Sequence, residues 1–362
     1  MKMKKIKLFD PHVGKKEKES VQKVLDSHFW ASGAGTNSVK KFEDKFKKYV
    51  KSKDCVAVNS GTAALNLALS LSDVKNKEVI VPSLTFVSTI NAIVLNEGKP
   101  IFCDIDPNTG CISIDDIKNT ITKKTVAILP VHFGGLACDL KNIEKICKDS
   151  KLTLIEDAAH AAGTSFNGKK IGSHGKFVCF SFHPVKNLAM PTGGLISIND
   201  KNFKNMKNRL NSKRWCGITN RKGLSYDVKE LGDNYYMNEF SAAIGLNQLE
   251  HLDEMNRKRI TIAKKYEEKI CIDKKIPFDK NCSYHLYWIL VKNRTKFIKK
   301  MNENGIEVGI HYKPAHQMSL YRNQTKLPVT EEFGKKIVSL PIHPNLTNSD
   351  VDKIIKSVNK YA

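Results

Sequence analysis

Short apolar runs alternate with helical patterns through the first half of the chain. We predict strands at residues 55–58, 78–81, 100–103, 126–130, 152–155, 178–182 and 195–198. Between them apolar residues recur at helical spacing, and we predict helices at residues 62–71, 88–95, 114–119 and 140–149. This alternation predicts an α/β fold with a seven-stranded, mostly parallel sheet covered by helices.

The pattern changes near Met237. A long helical segment with many charges covers residues 238–269. It is followed by a smaller mixed region, for which we predict strands near residues 287–291 and 307–311 and a terminal helix at residues 349–361. We therefore predict two domains, a large one over residues 1–236 and a smaller α/β domain, with the long linking helix, over residues 237–362.

Composition is that of a globular protein. Apolar residues make up 41% of the chain and charged residues 27%, and no uniformly apolar stretch reaches the eighteen residues of a membrane span. The basic segment 1–7 lacks the apolar region that follows it in a signal peptide. We therefore expect a cytoplasmic protein without a membrane partner.

Charge and cysteine content exclude two other classes of site. The 60 Lys and Arg against 37 Asp and Glu give a formal charge of +23, but lysines are interleaved with acids along amphipathic helices, as at residues 40–53. This favours a solvated surface over a nucleic-acid partner. The nine cysteines include no Cys-x-x-Cys pair, which favours reduced thiols over disulfides or a metal site.

Polar residues follow three of the predicted strands, at the edge where open α/β sheets bind ligands. The turn at Gly61 and Thr62 opens a helix, whose free N–H groups and dipole suit a phosphate, although Thr62 would serve equally as a plain N-cap. Asp157 requires a cation or donors, such as a protonated pyridine nitrogen, unless it caps the next segment. Lys186 lies where burial would lower its pKa, as an imine-forming amine requires.

A phosphate site, a carboxylate for a ring nitrogen and an imine-forming lysine are what an enzyme of pyridoxal 5′-phosphate (PLP) needs. The chain resembles the DegT/DnrJ/StrS family of sugar aminotransferases, PLP enzymes of the aspartate-aminotransferase fold (PLP-dependent transferase fold type I). The matching motifs are Ser20-Val21-Gln22-Lys23-Val24-Leu25, Asn59-Ser60-Gly61-Thr62-Ala63-Ala64-Leu65, Pro82-Ser83-Leu84-Thr85-Phe86, Asp104-Ile105-Asp106-Pro107, Glu156-Asp157-Ala158-Ala159-His160, Ser181-Phe182-His183-Pro184-Val185-Lys186-Asn187, Asn234-Tyr235-Tyr236-Met237 and His311-Tyr312-Lys313-Pro314.

The resemblance implies a role for each matching residue. Lys186 would hold the cofactor as a Schiff base and act in catalysis, and Asp157 would contact the pyridine nitrogen. The other implied cofactor contacts are Phe86 stacked on the ring, His160 at the phenolic oxygen, and Gly61, Thr62 and Ser181 around the phosphate. Asn234 would come from the partner subunit of a homodimer with shared active sites. Residues of the substrate pocket would be His311, Tyr312 and His316, any of which could instead be a core residue.

Two departures from the family pattern bear on the substrate. The turn after the lysine reads Pro191-Thr192-Gly193-Gly194 where many members have Gly-Glu-Gly-Gly, and Tyr236 stands where an arginine is common. The family's usual reaction moves an amino group from glutamate to a nucleotide-linked keto-deoxysugar for surface glycan or capsule biosynthesis. The departures leave open a smaller phosphorylated ketone, such as a triose phosphate. A non-catalytic regulator of the same fold is a second alternative.

Overall fold

The computed structural model describes residues 5–322 and 325–362. The strands, in chain order, are β1 Asp54–Val58, β2 Glu78–Pro82, β3 Lys99–Cys103, β4 Thr125–Ile128, β5 Thr153–Asp157, β6 Ser165–Phe166, β7 Lys169–Lys170, β8 Phe177–Ser181, β9 Gly194–Ile198, β10 Ile218–Lys222, β11 Ser225–Val228, β12 Tyr287–Leu290 and β13 Ile337–Leu340. The helices are α1 Lys15–Asp26, α2 Asn37–Val50, α3 Gly61–Ser70, α4 Val87–Leu95, α5 Ile114–Thr120, α6 Leu140–Asp149, α7 Phe203–Lys213, α8 Glu239–Lys269, α9 Arg294–Glu303, α10 Pro328–Lys336 and α11 Asn348–Tyr361.

One large sheet contains all seven strands predicted for the first half of the chain, which confirms the fold class. Its strand order is β1-β9-β8-β5-β4-β2-β3. Five neighbouring strands run parallel, and β9 lies antiparallel to both β1 and β8. Most strand residues are fully buried, because helices cover both faces, and this explains their continuous apolar runs.

The direction of the strands brings the polar turns together. Since β9 is antiparallel to both neighbours, β1 and β8 run the same way, and β5 runs parallel to β8. The carboxyl ends of β1, β5 and β8 therefore share one edge of the sheet. The connection from β8 to β9, residues 182–193, turns back at this edge without a helix and carries Lys186.

The long predicted helix is confirmed as α8, against which α1 and α2 pack. Its first turn is capped by the Asn238 side chain, which accepts a hydrogen bond from the Ser241 amide at 2.8 Å. The terminal helix is confirmed as α11. The boundary at residue 236 between two domains stays a prediction.

One predicted strand, at residues 307–311, is wrong. Only Gly309 of that segment pairs, exchanging both backbone hydrogen bonds with Ser339. The strand that pairs with β12 is instead β13, in antiparallel register from Tyr287 opposite Leu340 to Leu290 opposite Ile337. Seven of the nine cysteines are buried, including the predicted strand residues Cys55, Cys103 and Cys179. Within residues 5–322 and 325–362, no helix is long and apolar enough to cross a bilayer.

Candidate active site

A cavity of about 390 Å³ opens at the shared carboxyl edge of the sheet. Segments that are far apart in the sequence line it, among them the β1–α3 turn, the end of β5 and the β8–β9 connection. The predicted site residues in its lining are Gly61, Thr62, Phe86, Asp157, His160, Ser181, Lys186, His311 and Tyr312. Nine of the eleven predicted residues thus meet in one place, although their roles stay predictions.

The turn before α3 approaches Ser181 closely. A Cβ atom added to Gly61 would lie 2.7 Å from Cβ of Ser181, so only glycine fits here without a shift of α3 or β8. Ser60 is the N-cap, since its hydroxyl accepts a hydrogen bond from the Ala63 amide at 3.1 Å. The plain N-cap reading of Thr62 is therefore wrong, and Thr62 sits in the first turn beside the positive end of the helix dipole.

Asp157 is a buried carboxylate, 4% exposed, at the end of β5. Its Oδ1 accepts from the Ala159 amide at 3.0 Å, and its Oδ2 accepts from the Thr89 hydroxyl at 2.8 Å. Burial raises its pKa, although these two donors and the charge of Lys186 oppose that shift. Among the residues that the structure describes, no Lys, Arg or His nitrogen lies within 4.0 Å of the carboxylate, so Asp157 has no ion-pair partner among them.

Lys186 has an amine that is partly neutral near physiological pH. Burial lowers its pKa to about 8, and the charge of Asp157 opposes this only in part. Nζ of Lys186 lies 3.3 Å from Nε2 of His285. The backbone amide of Lys186 donates to the His183 carbonyl at 2.8 Å, which fixes the turn that presents the amine.

His160 and Tyr312 form a hydrogen-bonded pair in the lining of the cavity. Nδ1 of His160 accepts from the Gly134 amide at 3.3 Å, so Nε2 carries the proton and donates it to the Tyr312 oxygen at 3.2 Å. Burial, helped by the charge of Lys186, holds the pKa of His160 well below its ordinary value. A neutral imidazole therefore faces the cavity.

Two aromatic or imidazole rings complete the rim. Phe86 is 54% exposed and its ring centroid lies 5.8 Å from that of Tyr312. Nδ1 of His311 lies 2.9 Å from the Ser339 hydroxyl, and burial lowers the pKa of His311 to about 4. At neutral pH both rings are uncharged.

Two predicted residues lie outside this lining. His316 is buried, with Nδ1 2.6 Å from the Ser83 hydroxyl and Nε2 3.5 Å from Glu331. This is the arrangement of a core histidine, which is the alternative its sequence left open. Asn234 is exposed, and its carbonyl accepts from the Asn59 side chain at 3.1 Å. Its contribution to a partner's site stays a prediction.

Sequence reasoning missed three residues of the site. Thr89 donates to Asp157, His285 contacts Lys186, and Phe9 stacks on His285 with ring centroids 5.4 Å apart. Of these three residues, Thr89 alone has a local signal in the sequence. It follows Thr85 by four residues near the start of α4, and residues four apart lie on the same face of a helix, which brings both hydroxyls together. Nothing in the sequence near Phe9 or His285 points to the lysine.

Comparison with known proteins decides the family. The sequence profile of the DegT/DnrJ/EryC1/StrS aminotransferase family matches residues 11–359. The chain belongs to this family. Its members are PLP-dependent aminotransferases, so the resemblance read from the motifs is confirmed, and so are the enzyme class and the cofactor.

Three relatives of this DegT/DnrJ/EryC1/StrS aminotransferase match over nearly their whole length. GDP-perosamine synthase of Escherichia coli O157:H7 is 34% identical, over 99% of both chains. The structure of PseC from Helicobacter pylori, an aminotransferase involved in the biosynthesis of pseudoaminic acid, superposes with a TM-score of 0.92 at 28% identity, over 99% of both chains. Spr1654 of Streptococcus pneumoniae, which is described only as a putative sugar aminotransferase, superposes in its PLP form with a TM-score of 0.92 at 25% identity, over 98% of each chain.

The residues of the cavity fit PLP. The buried carboxylate of Asp157 has donors but no cation from the described protein, which suits a protonated ring nitrogen. The start of α3, with Gly61, Thr62 and Ser181 in the cavity lining, offers free backbone N–H groups at a helix N-terminus, which suits a phosphate. The amine of Lys186 has a lowered pKa, which suits attachment to an aldehyde.

Proposed function

We propose that this aminotransferase moves an amino group from glutamate to a nucleotide-linked keto-deoxysugar used in surface glycan or capsule biosynthesis. The observation that carries the proposal is full-length similarity to GDP-perosamine synthase and to PseC, with an intact lysine and aspartate in the cavity. The glutamate donor is inferred from the family resemblance. Location in the cytoplasm is proposed with it.

In the proposed reaction PLP, when bound, supplies an aldehyde that condenses with amines and a ring that withdraws electrons. Lys186 would hold the cofactor and, once displaced, its Nζ would take a proton from the α-carbon of the donor and deliver it to the carbon that carried the cofactor's aldehyde. A partly neutral amine is needed for this, and burial provides it. Asp157 keeps the ring nitrogen protonated by pairing with it.

The remaining residues bind and orient. Gly61, Thr62 and Ser181 would hold the phosphate at the start of α3. His160 is fixed by Gly134 with its Nε2 proton outward, so it can donate to the cofactor's phenolic oxygen in exchange for Tyr312. Phe86 would stack on the cofactor ring, and His311 and Tyr312 would present uncharged surfaces to a sugar.

A homodimer with shared active sites belongs to the same proposal. The lining of the cavity contains no arginine among the residues that the structure describes. A carboxylate donor and a diphosphate would both gain from one. Asn234, exposed near the β1–α3 turn, is the residue that we propose to reach the site of the second subunit.

A smaller phosphorylated ketone remains the second candidate substrate. It is favoured by Thr192, which lines the cavity where many family members have a glutamate and donates a hydrogen bond to the Asn59 carbonyl. An uncharged side chain here leaves the cavity more favourable to a compact anion. A non-catalytic regulator is disfavoured, because the chain retains the lysine and aspartate of the family.

Two experiments test the proposal. Borohydride reduction of the holoenzyme, followed by peptide mass spectrometry, should fix the cofactor on Lys186 in the wild type and in Lys170→Met, but leave Lys186→Met unlabelled. Labelling of another lysine would refute the site. Incubation with glutamate and a panel of nucleotide-linked keto-deoxysugars and triose phosphates should release 2-oxoglutarate with one of the sugars. Release with triose phosphate alone would select the second candidate.

A further inference from the structure

His285 lies against the amine of Lys186, although it belongs to a segment almost a hundred residues further along the chain. Its Nε2 is 3.3 Å from Nζ, and its side chain is buried, with 3% of the residue exposed. It is absent from the motifs that identified the site, and it stands just before β12. The contact is therefore a property of the tertiary structure alone.

Two ring contacts hold the His285 imidazole in this position. Phe9 stacks on it, with planes inclined by 18°, and the ring of His160 lies 4.5 Å away, centroid to centroid. The segment before it is fixed as well, since the Ser283 hydroxyl donates to the His160 carbonyl at 3.1 Å and the Ser283 carbonyl accepts from Asn187 at 2.7 Å. His285 cannot move away from the lysine without breaking these contacts.

The backbone at Tyr284 shows how firmly the segment is specified. Its φ of 46° is in the left-handed region, which a bulky residue adopts only where surrounding contacts require it. Those contacts exist, because the Tyr284 hydroxyl accepts from the Asp279 amide at 2.7 Å and donates to the Pro277 carbonyl at 3.1 Å. Strained backbone of this kind is common at functional sites.

His285 is a neutral acceptor and keeps that state. Burial comes first in lowering its pKa well below the ordinary value, and the charges of Lys186 and Arg259 act in the same direction. A small cavity lined by both His285 and Lys186 is also lined by Asp10, His12 and His343. Because the pKa of Lys186 is about 8, the proton shared by the two nitrogens stays on the lysine.

We propose that His285 is a positioning residue, which accepts a hydrogen bond from Nζ of Lys186 and holds the amine in place whenever it is not attached to the cofactor. The inference rests on the proposed role of Lys186. A free lysine side chain has several rotamers, and most of them would carry Nζ away from the reacting carbon. A fixed acceptor restricts those rotamers during the step in which the amine moves a proton.

The test compares His285→Met, which fills the site but accepts hydrogen bonds weakly, with His285→Gln, which keeps an acceptor. His251→Met, on the surface of α8, is the matched control. In the apoprotein, pH-dependent acylation of Lys186 read by mass spectrometry should show a pKa below that of the wild type for His285→Met, because an acceptor favours the ammonium form. In the holoenzyme, kcat should fall about tenfold with little change in KM for glutamate, and His285→Gln should recover most of it.

The outcomes separate the possibilities. If the Lys186 pKa and kcat of His285→Met equal those of the wild type, or if His285→Gln is as impaired as His285→Met, the proposal is overturned. If the methionine variant does not fold, the same apoprotein titration is made on His285→Leu, which also removes the acceptor, and a wild-type Lys186 pKa in that variant overturns the proposal. Failure of the proposed function would appear differently, as an absence of borohydride labelling at Lys186 in the wild type.

Discussion

Replacing Thr89 by valine tests whether the ionised form of the Asp157 carboxylate depends on the hydrogen bond from the Thr89 hydroxyl on helix α4. Thr89 is fully buried and donates to Oδ2 of Asp157 at 2.8 Å, so valine keeps the shape and removes one of the two donors. A hydrogen bond to a charged group contributes about 1.5–3 kcal/mol, which corresponds to roughly 10- to 100-fold in an equilibrium constant. Without it the pKa of Asp157 should rise further, and its ionised form should pair less well with a protonated ring nitrogen.

Thr85→Val is the matched control. Thr85 is 1% exposed, and its hydroxyl bonds to that of Thr89 at 2.8 Å, one step further from the carboxylate. Titration of both apoproteins with PLP, followed by absorbance, should give a dissociation constant raised about 10- to 100-fold for Thr89→Val and less than about threefold for Thr85→Val. Equal effects in the two variants would refute the reasoning, because the loss would then reflect packing and not the bond to Asp157.

Three further predictions concern separate parts of the chain. Arg214→Met should lower the free energy of unfolding in urea by about 3–5 kcal/mol, because Arg214 is 1% exposed and pairs with buried Glu43 at 2.6 Å. The control Lys40→Met removes a surface ion pair and should lower it by less than about 1 kcal/mol. An equally small effect at Arg214 would contradict this expectation. Gly61→Ala should lower the free energy of unfolding of the apoprotein by about 1–3 kcal/mol, because its Cβ would lie 2.7 Å from Cβ of Ser181 and force α3 away from β8. An unchanged free energy of unfolding would contradict this close approach. The rate of PLP attachment to the apoprotein should rise about tenfold per pH unit below pH 8 and level off above it. The reason is that only the neutral amine of Lys186 attacks, and about a tenth of this amine is neutral at pH 7. A rate that continued to rise up to pH 10 would disprove the lowered pKa of Lys186.

The large sheet was predictable because burial on both faces leaves a local record in the sequence. A continuous apolar run such as Val79 to Val81 is typical of a strand covered on both sides, and the polar residues that follow it mark the strand end. Asp157 and Lys186 were found for this reason. The antiparallel direction of β9 could not be read from its sequence, because direction depends on pairing.

The features that the sequence predicted wrongly depend on single residues or on contacts between distant segments. Residues 307–311 contain apolar side chains at strand spacing, but Gly309 alone finds a partner, and β13 takes the remaining pairing with β12. The N-cap fell on Ser60 and not on Thr62, because the geometry of one turn selects between adjacent hydroxyls. His285 and Phe9 were missed since their contacts depend on how distant segments fold together.

The position of β9 between β1 and β8 has a consequence for how the chain folds during its translation. β8 and β9 are joined by residues 182–193 and can pair as soon as both have left the ribosome. β1 can pair only after β9 has been made, because β9 follows it by roughly 140 residues, and closing so long a loop costs chain entropy. At roughly 5–20 residues per second, β1 stays unpaired for about 7–30 seconds of translation. The same closure that completes the sheet joins the turn at Gly61 to the strand end at Ser181, so the nascent chain cannot bind its cofactor at this turn before β9 has emerged.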